Sequence, residues 1–467
     1  MNHPSRVLIT LFMTGAFQIL FAAEKNGQLD HEAIAAIRAS FEQDQTSRAY
    51  VNAVSNNDIK KLVLNRELMN DHNDIYNLEI EVKGITNQES TGRCWMFAAL
   101  NVMRPVVLKK YNLAAFEFSQ AHLFFWDKLE KANYFLESII ETRDRDIDDR
   151  ELQALLTDPV PDGGWWNYAV NLIQKYGVIP KTSMGETENT SHSKMLNKTI
   201  GYLARQCAVE LRAMSAQGIP VQALRERKME MLKDFYRLLV FHFGMPPEHF
   251  TWRVRDKDNK LIEKEFTPLS FYREAAGLDL GEYITLCDYP AFPYRDLYQV
   301  RFCTNMPEQP DMHFINLNPD KLKHYALQSL KSGEPVWFGG DSGWQMERDQ
   351  GIMADNIFDY SSLFHIDDTM NKAEAIRYRA ITANHAMVLV AADTTADGRV
   401  HKWRVENSWG ADKGNKGYWA MYDSWFDRYV ITVIIHKKHI EKEILRLLEN
   451  KPVMIPAWDP MRNCFRQ

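Results

Sequence analysis

Gln88-Glu89-Ser90-Thr91-Gly92-Arg93-Cys94-Trp95-Met96-Phe97-Ala98-Ala99-Leu100-Asn101-Val102-Met103 runs from a polar, glycine-punctuated loop straight into an apolar stretch. That stretch predicts a buried helix opening at Cys94, with Pro105 a kink or break near its far end. A cysteine nucleophile must be thiolate near neutral pH. A helix N-terminus, whose dipole favours negative charge, is one usual aid, and a nearby imidazolium is the other. Cys94 meets the first condition. Gln88, six positions earlier, carries a side-chain amide that can aim at a developing oxyanion together with the backbone N–H of Cys94.

The base must come from elsewhere in the chain. His385, in Asn384-His385-Ala386-Met387, enters a stretch that reads as a strand. Asn407, in Glu406-Asn407-Ser408-Trp409-Gly410, ends the next such stretch, and Asp397-Gly398 between them is a hairpin turn signal. The hairpin would bring Asn407 beside His385 to orient its ring. Other strands are expected at Pro335–Phe338, Ala386–Ala391, Lys402–Asn407 and Tyr429–His436, rich in Val, Ile and aromatics. Before residue 334 helical spacing dominates from about 110 to 330, as in Val221–Phe243 with Leu224, Met229, Met231, Leu232, Phe235, Leu238 and Leu239. Residues 31–70 also carry helical periodicity, through Ile34, Ile37 and Phe41. A helical first part and a β-rich last part make the fold class α+β.

Composition narrows the field further. With 467 residues, 45% hydrophobic and 25% charged, the chain can bury a large core without disulfide or metal staples. Its formal net charge of −6 gives no general attraction to nucleic acid or to an anionic membrane surface. The five cysteines, 94, 207, 287, 303 and 464, form no CxxC pair and no zinc-type spacing. His436-x-x-His439 resembles half a metal motif with no acidic or cysteine partner to complete it, and reads as a solvated pair. At the start, Arg6 precedes the apolar run Val7–Ala23 and then Glu24-Lys25-Asn26-Gly27. Residues 1–23 therefore read as a secretory signal peptide, leaving no membrane segment in the mature form.

Taken together, Gln88-x5-Cys94-Trp95, His385-Ala386, Asn407-Ser408-Trp409-Gly410 and Gly417-Tyr418-Trp419 resemble the papain family of cysteine peptidases. Two departures point to one branch. Cys94 and His385 lie 291 residues apart, against about 130–150 in papain-like enzymes, and Gly92-Arg93-Cys94-Trp95 replaces Cys-Gly-Ser-Cys-Trp. Both are similar to the bleomycin hydrolase and aminopeptidase C family. So are Phe116-Glu117-Phe118-Ser119-Gln120, Asp162-Gly163-Gly164, Lys175-Tyr176-Gly177-Val178-Ile179-Pro180, Thr267-Pro268-Leu269-Ser270-Phe271-Tyr272 and Pro456-Ala457-Trp458-Asp459-Pro460-Met461. The resemblance spans about residues 28–461.

It implies a papain-like core within 28–467, a large helical insertion at about 110–330 and a C-terminal arm at about 456–467. By the same resemblance Cys94 attacks the scissile carbonyl, His385 shuttles the proton, Asn407 orients the imidazole and Gln88 helps to bind the oxyanion. Trp409 shields the His–Asn contact, and Gly163 and Gly164 line the cleft for the substrate backbone. No metal or cofactor is implied. Peptides are the implied substrates, and a homohexamer enclosing its active sites is the implied assembly. In this family the arm lies in the cleft and its carboxylate meets the substrate's amino group, which makes the enzyme an aminopeptidase of broad specificity.

The arm is where this chain departs. Family tails resemble Trp-Asp-Pro-Met-Gly-Ala-Leu-Ala, whereas Trp458-Asp459-Pro460-Met461-Arg462-Asn463-Cys464-Phe465-Arg466-Gln467 lacks the glycine and runs longer. An arm that trims itself, or one that shifts the cleavage register, is therefore expected. An endopeptidase or amide hydrolase of the same chemistry is the competing reading. A nucleic-acid-binding or scaffold role is a distant third, opposed by the net charge. The leader implies export, to a bacterial periplasm, although the family is chiefly cytoplasmic and unpaired cysteines suit that compartment better.

Overall fold

The computed structural model describes residues 27–463 and 465. The leader read at 1–23 and the arm residues Cys464, Arg466 and Gln467 lie outside the described residues. The chain divides into two compact units, up to Leu62 and from Val63 onward. In the first, helices His31–Ala39 and Gln45–Asn56 are started by Asp30 and Asp44, whose carboxylates accept the N–H of Ala33 and Ser47. These helices bear out the periodicity read around Ile34 and Ile37.

The second unit begins its helical layer with α1 (Cys94–Lys110), whose first ten residues are all buried. Pro105 does not end it. The helix loses one backbone donor there but runs on to Lys110, because Val107 and Leu108 beyond the proline are buried in the core. α2 (Gln120–Glu141) follows, with Ser119 Oγ accepting the His122 N–H, then α3 (Trp166–Tyr176), α4 (Lys194–Ala216) and α5 (Val221–Phe243). On α5 the apolar positions Leu224, Met231, Phe235, Leu239 and Phe243 turn inward, at the spacing of one helix face, while Leu232 and Leu238 lie half-buried at its edges and Met229, off that face, is exposed.

The stretch expected to be helical to about residue 330 changes character after Phe243. It holds a hairpin, Phe250–Arg255 with Leu261–Phe266, and three strands of the main sheet, β1 (Tyr283–Cys287), β2 (Asp296–Val300) and β3 (His313–Asn316). Each is four to six residues long and set off by Pro, Gly or Asp turns, so none produces a long periodic signal. α6 (Pro319–Lys331) then leads into β4 (Val336–Gly340), β5 (His385–Thr394), β6 (Val400–Glu406), β7 (Tyr418–Tyr422), β8 (Val430–His436) and β9 (Val453–Ile455). The sheet runs β9-β2-β3-β1-β8-β4-β5-β6-β7, continued by Ile352–Met353 and Met346–Glu347, while Leu78–Glu79 pairs with β5. The architecture is α+β, with a helical layer carrying the cysteine and a mixed sheet carrying the histidine.

The strands expected around Val336, Ala386, Lys402 and Tyr429 are all present, and Asp397-Gly398 closes the β5–β6 hairpin with Gly398 at φ +82°. Among the described residues no helix is long and apolar enough to cross a membrane.

Candidate active site

β5 starts at His385 and lies between β4 and β6. It pairs Ala386 with Gly339 on one side and Val388 with Glu406 on the other. Continuing the second register sets Asn407 opposite Met387, so His385 and Asn407 are diagonal neighbours on one face. Their side chains meet: His385 Nε2 is 2.7 Å from Asn407 Oδ1, which also accepts the Ser408 N–H at 2.8 Å. An amide oxygen only accepts, so Nε2 carries the proton and Nδ1 is the basic nitrogen. That Nδ1 is buried and has no hydrogen-bond partner.

Cys94 reaches the same place from the other layer. It is the first residue of α1, and the Ala386 N–H, one residue past His385, points at its sulfur. Both side chains are wholly buried. Burial pushes the Cys94 thiol up to about 12 and the His385 ring down to about 4, the latter opposed by its bond to Asn407. Both shifts act in one direction: burial disfavours the charged form of each group.

Gln88 is held at both ends of its amide. Oε1 accepts from Ser408 Oγ at 2.7 Å, and Nε2 donates to Thr91 O at 2.6 Å, which leaves its second N–H uncommitted. The Gln88 N–H also donates to Ser408 O. Trp409 stacks on the His385 ring at 4.7 Å between centroids and covers it, with the Arg348 guanidinium over Trp409 at 5.1 Å. Gly163 and Gly164 are buried, and Gly164 lies against the residue after the cysteine. A Cβ on Gly164 would stand 2.8 Å from the Trp95 ring, so only glycine lets the two approach. The Gly164 N–H and C=O take no hydrogen bond among the described residues.

Several contributors carried no sequence signal that was read. Arg104 on α1 sends both bonds of its Nη2 to the Glu406 carboxylate at 2.7 Å, and its Nη1 to Asn101 Oδ1. Asn101 in turn donates to Thr86. One buried chain of polar contacts thus staples the cysteine helix to the strand before Asn407 and to the segment before Gln88. A basic residue ten positions after the cysteine, in an otherwise apolar helix, was the available clue. Phe465 is the second omission. Its N–H donates to Ala383 O at 2.8 Å, and its ring packs on Trp165 and Trp337 at 4.8 and 5.4 Å and against Gly339. His439, read as solvated, instead meets the Glu334 carboxylate at 2.8 Å; the two residues are remote in sequence.

The profile of the Peptidase C1-like family matches residues 28–462. Aminopeptidase C of Streptococcus thermophilus is 38% identical over 426 residues, covering 91% of this chain and 96% of that protein. Bleomycin hydrolase of Homo sapiens is 37% identical over 446 residues, covering 93% and 98%. The crystal structure of PepW from Lactobacillus rhamnosis HN001 superposes with a TM-score of 0.90 at 36% identity, covering 93% of this chain and 98% of that one. With the fold, the matched length and these relatives in agreement, the chain belongs to the Peptidase C1-like family of papain-like cysteine peptidases.

Proposed function

We propose that this chain is a cysteine aminopeptidase that removes N-terminal residues from peptides of broad sequence. The observation that carries the chemistry is the His385 Nε2–Asn407 Oδ1 bond, which leaves Nδ1 basic and without a partner, on the residue whose successor Ala386 turns its N–H to Cys94. Cys94 passes its proton to that nitrogen and attacks the scissile carbonyl. The pair carries no net charge, and the N-terminus of α1 favours the thiolate while Asn407 favours the imidazolium. Gln88 Nε2 and the Cys94 N–H receive the developing oxyanion. His385 protonates the leaving amine, and water, deprotonated by the same ring, hydrolyses the thioester. Trp409 keeps solvent off the His–Asn bond, and the uncommitted Gly164 peptide edge receives the substrate backbone.

The exopeptidase half of the reading rests on the arm. Phe465, bonded to Ala383 two residues before His385, fills one side of the cleft, so a peptide binds by its beginning rather than across its middle. The names of the relatives, Aminopeptidase C and Bleomycin hydrolase, favour the same activity. The core with its 110–330 insertion is proposed as one catalytic unit. Assembly with further copies is supported by Met195, Tyr202 and Val209, exposed apolar residues seven apart on α4. Export rests on the apolar run Val7–Ala23 and is checked by cell fractionation and N-terminal sequencing.

Product analysis by mass spectrometry on one free and one N-acetylated peptide, with wild type and Cys94→Ser, tests the activity. Stepwise loss of N-terminal residues from the free peptide only, abolished in the variant, is expected. Cleavage of both peptides would make it an endopeptidase, and no Cys94-dependent cleavage would overturn the catalytic assignment.

A further inference from the structure

Behind the Gly163–Gly164 wall lies a cluster of buried charge that the chemistry above does not use. α2 turns Asp127, Lys128 and Lys131 inward, all but inaccessible to solvent. Lys131 Nζ is 2.6 Å from Asp127 Oδ2 and donates to Pro161 O at 2.9 Å and Gly163 O at 2.7 Å, with Asp162 O at 3.5 Å. It also stands 5.2 Å above the Trp95 ring and 5.6 Å above Tyr168. Lys128 takes Val160 O at 2.9 Å and pairs with Asp162 Oδ1 at 2.7 Å. Asp162 completes the link: its second carboxylate oxygen accepts the Gly92 N–H and the Ser193 hydroxyl, and its carbonyl accepts Trp95 Nε1 at 2.9 Å. Two lysines of one helix therefore hold four successive residues of the wall, and the wall holds the loop that carries Cys94.

Burying an ammonium is costly, and apolar side chains of the same volume often serve stability as well or better. Here the charge is spent on carbonyls. Pro161 and Gly163, two residues apart, both turn their oxygens toward Lys131, and the next residue, Gly164, is the one with an uncommitted peptide edge. We infer that Lys131 is a positioning residue for substrate binding, fixing the Pro161–Gly163 main chain so that Gly164 presents its peptide edge to the substrate backbone. The inference rests on the cleft reading proposed above and adds the element that sets the cleft's affinity. Desolvation brings the Lys131 ammonium down to about 8, with Lys128 adding to the effect and Asp127 and Asp162 opposing it. The brace is thus weakly held as a cation, and Asp127 is its necessary counter-charge.

Lys131→Met alone would strand the Asp127 carboxylate, so the test variant is Lys131→Met with Asp127→Asn, which removes both charges. Three quantities are compared with wild type: KM and kcat on a free peptide, the rate of Cys94 alkylation by iodoacetamide, and the Kd of the same peptide for each chain in a Cys94→Ser background. The expected result is KM and Kd raised about tenfold, the size of effect that loss of hydrogen bonds from a charged donor gives, with kcat and alkylation within twofold. Unchanged KM and Kd would overturn the inference. So would a joint fall of kcat and alkylation at constant Kd, which would make the cluster a support of the nucleophile only. The Kd comparison reads the wall even if wild type shows no turnover, so failure of the aminopeptidase reading and failure of this inference are separable.

Discussion

Gly339 on β4 and Phe465 on the arm occupy one pocket: a Cβ built on Gly339 would stand 2.2 Å from Phe465 Cζ. Gly339 is paired with Ala386, whose N–H points at the Cys94 sulfur, so this pocket adjoins the proposed nucleophile. Gly339→Ala must therefore move the ring or strain the strand. The expected outcome is a loss of about 1–3 kcal/mol of stability, together with new cleavage of an N-acetylated peptide as the arm leaves the cleft. Gly339→Ala with Phe465→Ala relieves the clash but forfeits the packing of the ring, so the two losses should be less than additive while the new cleavage is kept. Thermal unfolding and mass spectrometry of the products check both; an unchanged Tm with blocked peptide still intact would contradict the shared pocket.

The Arg104–Glu406 pair joins the two layers that hold the site. Both side chains are buried, and burial raises the Glu406 carboxyl against the pull of Arg104. Arg104→Met leaves that carboxylate without a partner and is expected to cost about 3–5 kcal/mol. Arg104→Met with Glu406→Gln should recover a large part, because no uncompensated charge is left inside. Urea unfolding of the two variants measures the difference, and equal losses would show that the pair contributes by shape and not by charge.

What the sequence made legible follows from how far each signal reaches. Cys94, His385 and Asn407 sit at element boundaries, where loop residues meet apolar runs; His385 bonds Asn407, Gln88 bonds Ser408 beside it, and Cys94 meets the N–H of Ala386, the residue after His385. The β5–β6 hairpin was readable because Asp397-Gly398 supplies the turn and the pairing is local. Gly163 and Gly164 were readable as a pair only by resemblance; the reason position 164 is glycine, the approach of Trp95, needs coordinates. The strands between 250 and 316 were missed because each is short and two of them, β1 and β3, pair with each other in parallel, a non-local contact. Arg104 with Glu406 and Lys131 with Gly163 were missed for a related reason. Partners 302 and 32 residues apart leave no periodic trace, and a charged side chain in sequence looks like surface.

His385 gives the site a pH signature. Its folded value, about 4, lies below the ordinary value of 6.5, because burial disfavours the imidazolium. Between those values the unfolded chain binds a proton that the folded chain does not, so stability rises with pH across the window and is lost as pH falls from about 6.5 toward 4. The loss expected from this one ring is on the order of 3 kcal/mol. His122, also held near 4 by burial, titrates in the same window, so the wild-type slope alone does not isolate His385. The difference between wild type and His385→Gln does. Chemical denaturation at pH 4.5, 5.5 and 7 should show a flatter profile for the variant, and parallel profiles would mean that the ring is hydrated in the folded protein.

Gln88 is the cleanest probe of the oxyanion assignment, because its amide is fixed before any substrate arrives. Ser408 holds the oxygen and Thr91 takes one N–H, so the remaining N–H cannot rotate away without breaking both bonds. A donor locked in this way stabilises charge that develops only in the transition state and does little for the ground-state carbonyl. Gln88→Ala is therefore expected to lower kcat by about 10²–10³-fold while changing KM by a few-fold at most. Gln88→Glu keeps the Thr91 side of the pocket filled but replaces a donor with an acceptor, and should be at least as damaging to kcat. If the alanine variant instead raises KM at constant kcat, Gln88 binds substrate uniformly and another donor serves the oxyanion. Steady-state kinetics on one free peptide, with Cys94 alkylation as a control for the nucleophile, separates the two.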